Sequence, residues 1–339
     1  MRIAIANHRI VEQLRRLVLS APDCEVAWIA RNGSEAVEKC ALDPPDLVLM
    51  EPNLPMLNGV EATRRIMRDF PCPILIVTDT VDGNAAKVFE AMGYGALDAV
   101  SAPMIGDDVV VENSQTLLLK KIKMIQRLRK TPSDIIQPES GHAKHGRITV
   151  SPMVAIGASA GGPKTLAKLL AQFPARLSAI IIIIQHVDQE FSAGLVEWLA
   201  VQTPLKVRLA HEGEQPKSGH VYVAGTNHHL ILTPGLRFAY TPEPHQILYR
   251  PSVDVFFESA ARYWPRKGCA ILLTGMGRDG AKGLASLHNV GWYTIAQDEA
   301  TSIVYGMPKA AKELGAATNI LPIDEIGPRV LKILHQGLK

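Results

Sequence analysis

The chain is poor in the features that most directly exclude or announce a function. It has four cysteines in 339 residues, Cys24, Cys40, Cys72 and Cys269. They have neither the density of a disulfide scaffold nor the paired spacing of a zinc site, so they read as reduced, mostly buried thiols, and no metal is implied. A dominant charge of one sign is also missing: a net charge of +3 is too small to argue for nucleic acid. Long hydrophobic runs are absent too. The most apolar stretch, Ala179 to Ile184, is far too short to span a bilayer, and the opening Met1-Arg2-Ile3-Ala4-Ile5-Ala6-Asn7 lacks the apolar core of a signal peptide. The expected compartment is the cytoplasm, with no insertion into a membrane.

What remains is an ordinary globular composition, 47% hydrophobic and 20% charged, in a chain long enough for about two domains of ~100–200 residues each. From the start, strand-like and helix-like runs alternate: Ile3–Ala6 then Arg9–Leu19, Val26–Ala30 then Ser34–Ala41, Leu47–Met50 then Val60–Arg68, Ile74–Val77 then Ala85–Met92, and Ala99–Val100 before a helix near Leu117–Leu128. Strict alternation indicates a parallel sheet covered on both faces, a doubly wound domain.

The segments Asp46-Leu47-Val48-Leu49-Met50-Glu51, Pro55-Met56-Leu57-Asn58-Gly59-Val60-Glu61-Ala62 and Gly93-Tyr94-Gly95-Ala96-Leu97-Asp98-Ala99-Val100 with Pro103 resemble response-regulator receiver domains, over residues 1–119. The resemblance implies a phosphoacceptor aspartate after the third strand, an acidic pair holding Mg²⁺, and a hydroxyl residue and lysine on the phosphate. Here those positions carry Glu51, then Asn7 and His8, then Thr78 and Ala102, so only Thr78 fits. Hard Mg²⁺ wants carboxylate oxygens, and phosphorylation is expected to fail. His8 has no accompanying second ligand and is not read as a metal site. Glu51 is either a fixed charge imitating the phosphorylated state or a product of drift. One charge on two oxygens is a poor copy of a phosphoryl group, which favours drift or weak mimicry.

Residues 120–149 read as an interdomain linker. Leu117–Lys130 carries Lys120, Lys121, Lys123, Arg127, Arg129 and Lys130; this helix-like run could dock on an acidic partner, but a solvated face is the preferred account. Thr131–Arg147 mixes proline, glycine and charge with few apolar anchors.

The second domain, residues 150–339, opens on Met153-Val154-Ala155-Ile156-Gly157-Ala158-Ser159-Ala160-Gly161-Gly162-Pro163. An apolar strand stops at Gly157 and a helix pattern resumes at Pro163, placing Ser159 in a strand-to-helix turn. Gly157-x-Ser159-x-Gly161 satisfies the nucleophile-elbow pattern, which leaves its hydroxyl exposed above the strand end. A turn that cradles phosphate, or merely packs tightly, fits the same residues. The β-branched run Ile180–Ile184 then places His186 at the carboxyl edge of a buried strand. Lys206–Leu209, His220–Ala224, His229–Leu232 and Leu236–Tyr240 read as short strands, with Thr233-Pro234-Gly235 as a hairpin turn, and Ser252–Tyr263 as a helix. Cys269–Ala281 repeats the strand, glycine-rich turn and helix, putting Asp279 on the rim either as an imidazole-orienting carboxylate or as a helix cap. Hydroxyl, imidazole and carboxylate from three strand ends are the set needed for attack on an acyl carbon. The order Ser, His, Asp disfavours the ordinary α/β-hydrolase fold.

Five ordered motifs make the resemblance specific: Ile156–Gly162, Gln185-His186, Arg250-Pro251-Ser252-Val253-Asp254, Leu272–Gly280, and Ala296–Thr301 with Gly306-Met307-Pro308. They resemble the catalytic domain of chemotaxis-type protein-glutamate methylesterases, the CheB family, with stretches such as Val60–Met67 and Phe89–Asp98 closest to the WspF-like subtype of surface-sensing pathways. The resemblance implies two doubly wound α/β domains, a flavodoxin-like receiver and a methylesterase with a mainly parallel sheet and a β-hairpin. It implies Ser159 as nucleophile, His186 as base and then acid, Asp279 as orienting carboxylate, and the amides of Met276 and Ala160 as oxyanion donors. Ala160 stands where threonine is common. No cofactor is implied. The expected substrate is the cytoplasmic domain of a methyl-accepting chemoreceptor, whose glutamate γ-methyl esters are hydrolysed and whose glutamines many members also deamidate, and a chemosensory histidine kinase is a further expected partner. The rival readings are a non-enzymatic docking or inhibitory module and a hydrolase of small esters.

Overall fold

The computed structural model describes residues 1–79, 83–103, 108–130, 150–247 and 249–336, with side chains in the 108–130 helix described from 114 to 127. The chain divides into two units, Met1–Ile135 and Ile136–Lys339.

In the first unit strand and helix alternate throughout: β1 (Arg2–Ala6), α1 (Val11–Ser20), β2 (Glu25–Ala30), α2 (Gly33–Leu42), β3 (Leu47–Met50), α3 (Gly59–Asp69), β4 (Ile74–Thr78), α4 (Ala85–Gly93), β5 (Asp98–Ser101) and α5 (Asp108–Lys130). The five strands lie in the order β2-β1-β3-β4-β5 and all pair in parallel, the flavodoxin-like order of a doubly wound sheet. Because helices cover both faces, β3 and β4 are buried along their whole length and read as continuous apolar runs.

The last helix differs from expectation. It begins at Asp108 and continues through residue 119 to Lys130, so the expected linker starts inside it. The reason is packing: Leu118, Ile122 and Ile125 are at most 1% exposed and belong to the core of the first unit. The solvated cationic face is also only part of the account. Lys120, Lys123 and Arg127 are exposed, but Lys121 is buried and pairs with Asp98 at the start of β5. The expected linker segment 131–147 lies outside the described residues.

The second unit runs β6 (Met153–Ala158), α6 (Gly162–Leu170), β7 (Ile180–Gln185), α7 (Gln189–Ala200), β8 (Lys206–Leu209), β9 (His220–Val223), β10 (His229–Leu232), β11 (Phe238–Thr241) and α8 (Val253–Tyr263). It ends with β12 (Cys269–Leu272), α9 (Ala281–Asn289), β13 (Tyr293–Gln297), α10 (Met307–Glu313), β14 (Asn319–Leu321) and α11 (Ile323–Gln336). Seven strands form one sheet in the order β14-β13-β12-β6-β7-β9-β8, parallel at every pairing. β10 and β11 form a separate antiparallel hairpin. Its second strand starts at Phe238, not Leu236, because Leu236 sits at φ 58° in the turn with its N–H on the Thr233 carbonyl.

The five isoleucines of β7 are each at most 1% exposed, which fits a central strand covered on both faces. From β6 the chain first builds outward through β7 and later returns on the other side through β12. The strand order therefore reverses at β6, and the crevice beyond the carboxyl ends there is where open α/β sheets hold ligands.

Candidate active site

The three candidate residues come from the carboxyl ends of the three central strands β12, β6 and β7. The register pairs Ala158 with Gln185 and Leu272 with Gly157, so Ser159 and His186 leave adjacent strands at the same level. The turn that carries Ser159 depends on Gly161, which caps α6 in the left-handed conformation at φ 78°. A β-carbon there would lie 2.7 Å from Cβ of Ile303, so both the conformation and the space require glycine. Pro163 then occupies the first helical turn, where its missing N–H is harmless.

Ser159 is held by its backbone: its N–H donates to the Thr274 carbonyl over 3.0 Å, and its carbonyl accepts from Gly162 N–H at 2.7 Å and Gln185 Nε2 at 3.0 Å. Ser159 as a whole is only 4% exposed, yet its unpartnered hydroxyl is not among the buried side-chain atoms. The segment after β12 lies over it, so close that a β-carbon on Gly275 would fall 2.8 Å from the Ser159 Cβ. Among the described residues the Ser159 hydroxyl has no hydrogen-bond partner.

His186 is 6% exposed. Its Nε2 lies 2.7 Å from Oδ2 of Asp279, and its Nδ1 is buried without a hydrogen-bond partner. With Asp279 ionised, Nε2 carries a proton toward it, and in the neutral tautomer of that ring the lone pair is on Nδ1. The ring also stacks on Tyr249, with centroids 4.2 Å apart and planes 8° apart.

Asp279 touches the imidazole and also meets a helix start, though that of α8: the residue ahead of its own helix α9 is Gly280 at φ 86° with no side-chain cap. Besides His186, its carboxylate accepts from the Ser252 hydroxyl at 2.8 Å and from the amides of Val253 at 2.7 Å and Asp254 at 3.1 Å. Burial alone would raise this carboxyl, but His186 and the donors at the start of α8 outweigh it and hold its pKa below the usual carboxylate range. The neighbouring Asp254 goes the other way: burial, then repulsion from Asp279, raise it well above the ordinary value.

The N–H groups of Met276 and Ala160 donate to no acceptor among the described residues. Ala160 lies within the nucleophile turn, and Met276 follows Gly275, which packs against Ser159.

Sequence reasoning assigned no role to several residues that hold this arrangement. Gln185 Nε2 bridges the carbonyls of Ser159 and His186, each at 3.0 Å. Thr274 donates to the Ala160 carbonyl at 2.9 Å and accepts from Val304 N–H at 2.9 Å. Gln297 accepts from Thr274 N–H at 2.8 Å. Gln185 and Gln297 fall inside quoted motifs, yet buried polar residues at strand ends were their only signal. Tyr249 and His229 had none.

In the first unit the structure brings Asn7, Glu51 and Ala102 to one cavity, with Arg9 and Asp79. Oε2 of Glu51 accepts from His8 N–H at 3.0 Å and lies 2.9 Å from His8 Nδ1, while Asn7 Oδ1 accepts from Arg9 and Ile10 N–H in the turn before α1. Thr78 is buried and accepts from Asn84 Nδ2 at 3.0 Å. Among the described residues no group of three or more His, Cys, Asp or Glu side chains could hold a metal ion, and no helix is long and apolar enough to cross a membrane.

Fold and site together define a class: a receiver domain followed by an α/β ester-hydrolase domain whose candidate residues sit where the strand order reverses. The comparisons carry this to a family. Residues 154–330 match the CheB methylesterase model, and residues 3–112 match the response regulator receiver domain. The chain is 48% identical to the protein-glutamate methylesterase/protein-glutamine glutaminase 3 of Pseudomonas aeruginosa, over 98% of this chain and 99% of that protein. It is 50% identical to the protein of the same type in Mesorhizobium japonicum, over 99% of this chain and all of the other. Among solved structures, the CheB methylesterase catalytic domain of Thermotoga maritima is 34% identical with a TM-score of 0.53, covering 55% of this chain and 100% of that one. The chain belongs to the CheB methylesterase family.

Proposed function

We propose that the second unit hydrolyses glutamate γ-methyl esters on the cytoplasmic helices of methyl-accepting chemoreceptors and deamidates glutamines there by the same route. The observation that carries this reading is the division of labour on one ring: His186 commits Nε2 to Asp279 and keeps Nδ1 open at the strand end next to Ser159. Ser159 attacks the ester carbonyl and passes its proton to Nδ1. The amides of Met276 and Ala160 receive the oxyanion, and Asp279 stabilises the imidazolium. Nδ1 then protonates the departing methoxide, methanol leaves, and water activated at the same nitrogen releases glutamate. Hydroxyl and imidazole make no hydrogen bond to each other in this structure; such contacts tighten when substrate arrives.

The names of the relatives and the receiver fold support a chemosensory setting in the cytoplasm, with a histidine kinase complex as the neighbouring machinery. The WspF-like stretches support a surface-sensing pathway within it. A docking module would have no use for a buried imidazole with one committed and one open nitrogen. Methanol release from methylated receptor membranes tests the proposal: Ser159→Ala and His186→Gln are expected to abolish it, and undiminished release from Ser159→Ala would overturn it.

A further inference from the structure

We infer that Tyr249 is a positioning residue of this site, its flat face setting the plane of the His186 ring. The inference rests on the reading of His186 given above.

A single hydrogen bond fixes one atom of an imidazole. Among the described residues the His186 ring is bonded only through Nε2, to Asp279, and a ring held at one nitrogen can still swivel and turn Nδ1 away from Ser159. The Tyr249 ring removes that freedom, because it covers one face at a centroid distance of 4.2 Å and lies within 8° of parallel. The same contact has a second consequence. When Nδ1 takes the serine proton, the ring becomes a cation lying on a π-face, an attraction absent from the neutral ring and therefore realised only as the reaction proceeds.

The other end of the side chain reaches the oxyanion side. The Tyr249 hydroxyl donates to the Met276 carbonyl over 3.4 Å, and Gly277, at φ 88°, leaves room for it: a β-carbon there would fall 2.8 Å from the phenolic oxygen. The Met276–Gly277 peptide is thus fitted to the tyrosine on one side while its neighbour, the Met276 amide, stays open on the other. One side chain touches both the proposed base and the strand-end loop that carries the proposed oxyanion donor, the ring contact being the one that sets the geometry and the 3.4 Å hydroxyl contact a minor addition; it is itself supplied by the segment just before α8.

The test uses the full chain, with methanol release from methylated receptor membranes giving kcat and KM, and the rate of inactivation by a small phosphonofluoridate giving Ser159 reactivity. Tyr249→Leu removes the flat face and is expected to lower kcat by about 30-fold or more, since a displacement of about 1 Å in a reacting group costs ~100-fold, with KM within about two-fold and a parallel fall in inactivation rate. Tyr249→Phe keeps the stack and loses only one long hydrogen bond, so it is expected to restore kcat to within about five-fold of the parent. Melting curves confirm folding, and Tyr249→Met repeats the comparison if Tyr249→Leu does not fold. Parental kcat in the folded non-aromatic variant, a loss confined to KM, or a Phe variant as poor as Leu overturns the inference. His186→Gln separates the two claims: if it turns over normally, the reading of His186 fails first, and if it is inactive while Tyr249→Leu is normal, only the role of Tyr249 fails.

Discussion

The hydroxyl of Ser252, the residue that caps α8, donates to the Asp279 carboxylate over 2.8 Å. One carboxylate therefore serves the start of a helix and the His186 imidazole together. Helix N-termini favour negative charge, so the fold keeps Asp279 ionised with backbone that is fixed before any substrate arrives.

Substitutions at the two residues are expected to separate. Ser252→Ala loses a cap and a bond to a charged group, which should cost about 1–3 kcal/mol in denaturant unfolding. Turnover should fall only modestly, because the Val253 and Asp254 amides still hold the acid. Asp279→Asn should lower kcat by ~10³–10⁴-fold with little change in KM, as an amide cannot both accept from Nε2–H and compensate an imidazolium.

His229 sets a pH dependence of stability. It is fully buried, and its Nδ1 accepts from the Ser252 N–H at 3.1 Å, which requires a neutral ring. Burial, followed by the Arg250 charge, lowers its pKa below the ordinary 6.5. The unfolded chain then takes up a proton that the folded chain refuses, so stability falls as pH drops below about 6.5. In His229→Gln, whose side-chain oxygen can still accept from Ser252, the denaturation midpoint should lose that part of its slope.

The first unit should not respond to the usual chemistry of receivers. The Glu51 carboxylate is engaged by His8, Asn7 by the Arg9 and Ile10 amides, and Asp79, which lines the same cavity, by Arg9, and the acidic-pair positions themselves, Asn7 and His8, offer Mg²⁺ no carboxylate. A small-molecule phosphodonor with Mg²⁺ is expected to leave methanol release unchanged, and a clear rise in rate would refute this.

Gly161→Ala should be costly where Gly213→Ala is not. Both glycines have positive φ, 78° and 76°, but a β-carbon on Gly161 meets Ile303 at 2.7 Å while one on Gly213 meets nothing within 4 Å. The left-handed conformation alone costs ~1–2 kcal/mol in each. Only Gly161→Ala should exceed this and also depress turnover, about tenfold or more, by moving the turn that carries Ser159. Melting temperatures and kcat for the pair check both parts.

Legibility differed by element for a physical reason. β7 could be read directly because five consecutive isoleucines satisfy a strand buried on both faces whatever surrounds it. The far end of α5 could not: a cationic run is compatible with a solvated helix until Ile122 and Ile125 find a core and Lys121 finds Asp98. Likewise Asp279 was visible as a rim carboxylate, but its capping of α8 depended on a contact between segments more than twenty residues apart.

By itself, then, the sequence determined the alternation of strands and helices, the two α/β domains, and the strand-end placement of Ser159, His186 and Asp279. These follow from local periodicity, turn residues and side-chain chemistry, which neighbours along the chain specify. Only tertiary structure decided which nitrogen of His186 meets Asp279, that Tyr249 lies flat on that ring, and that Ser159 sits beneath the segment after β12. Those are relations between distant segments, set by strand order and packing, and no local pattern encodes them.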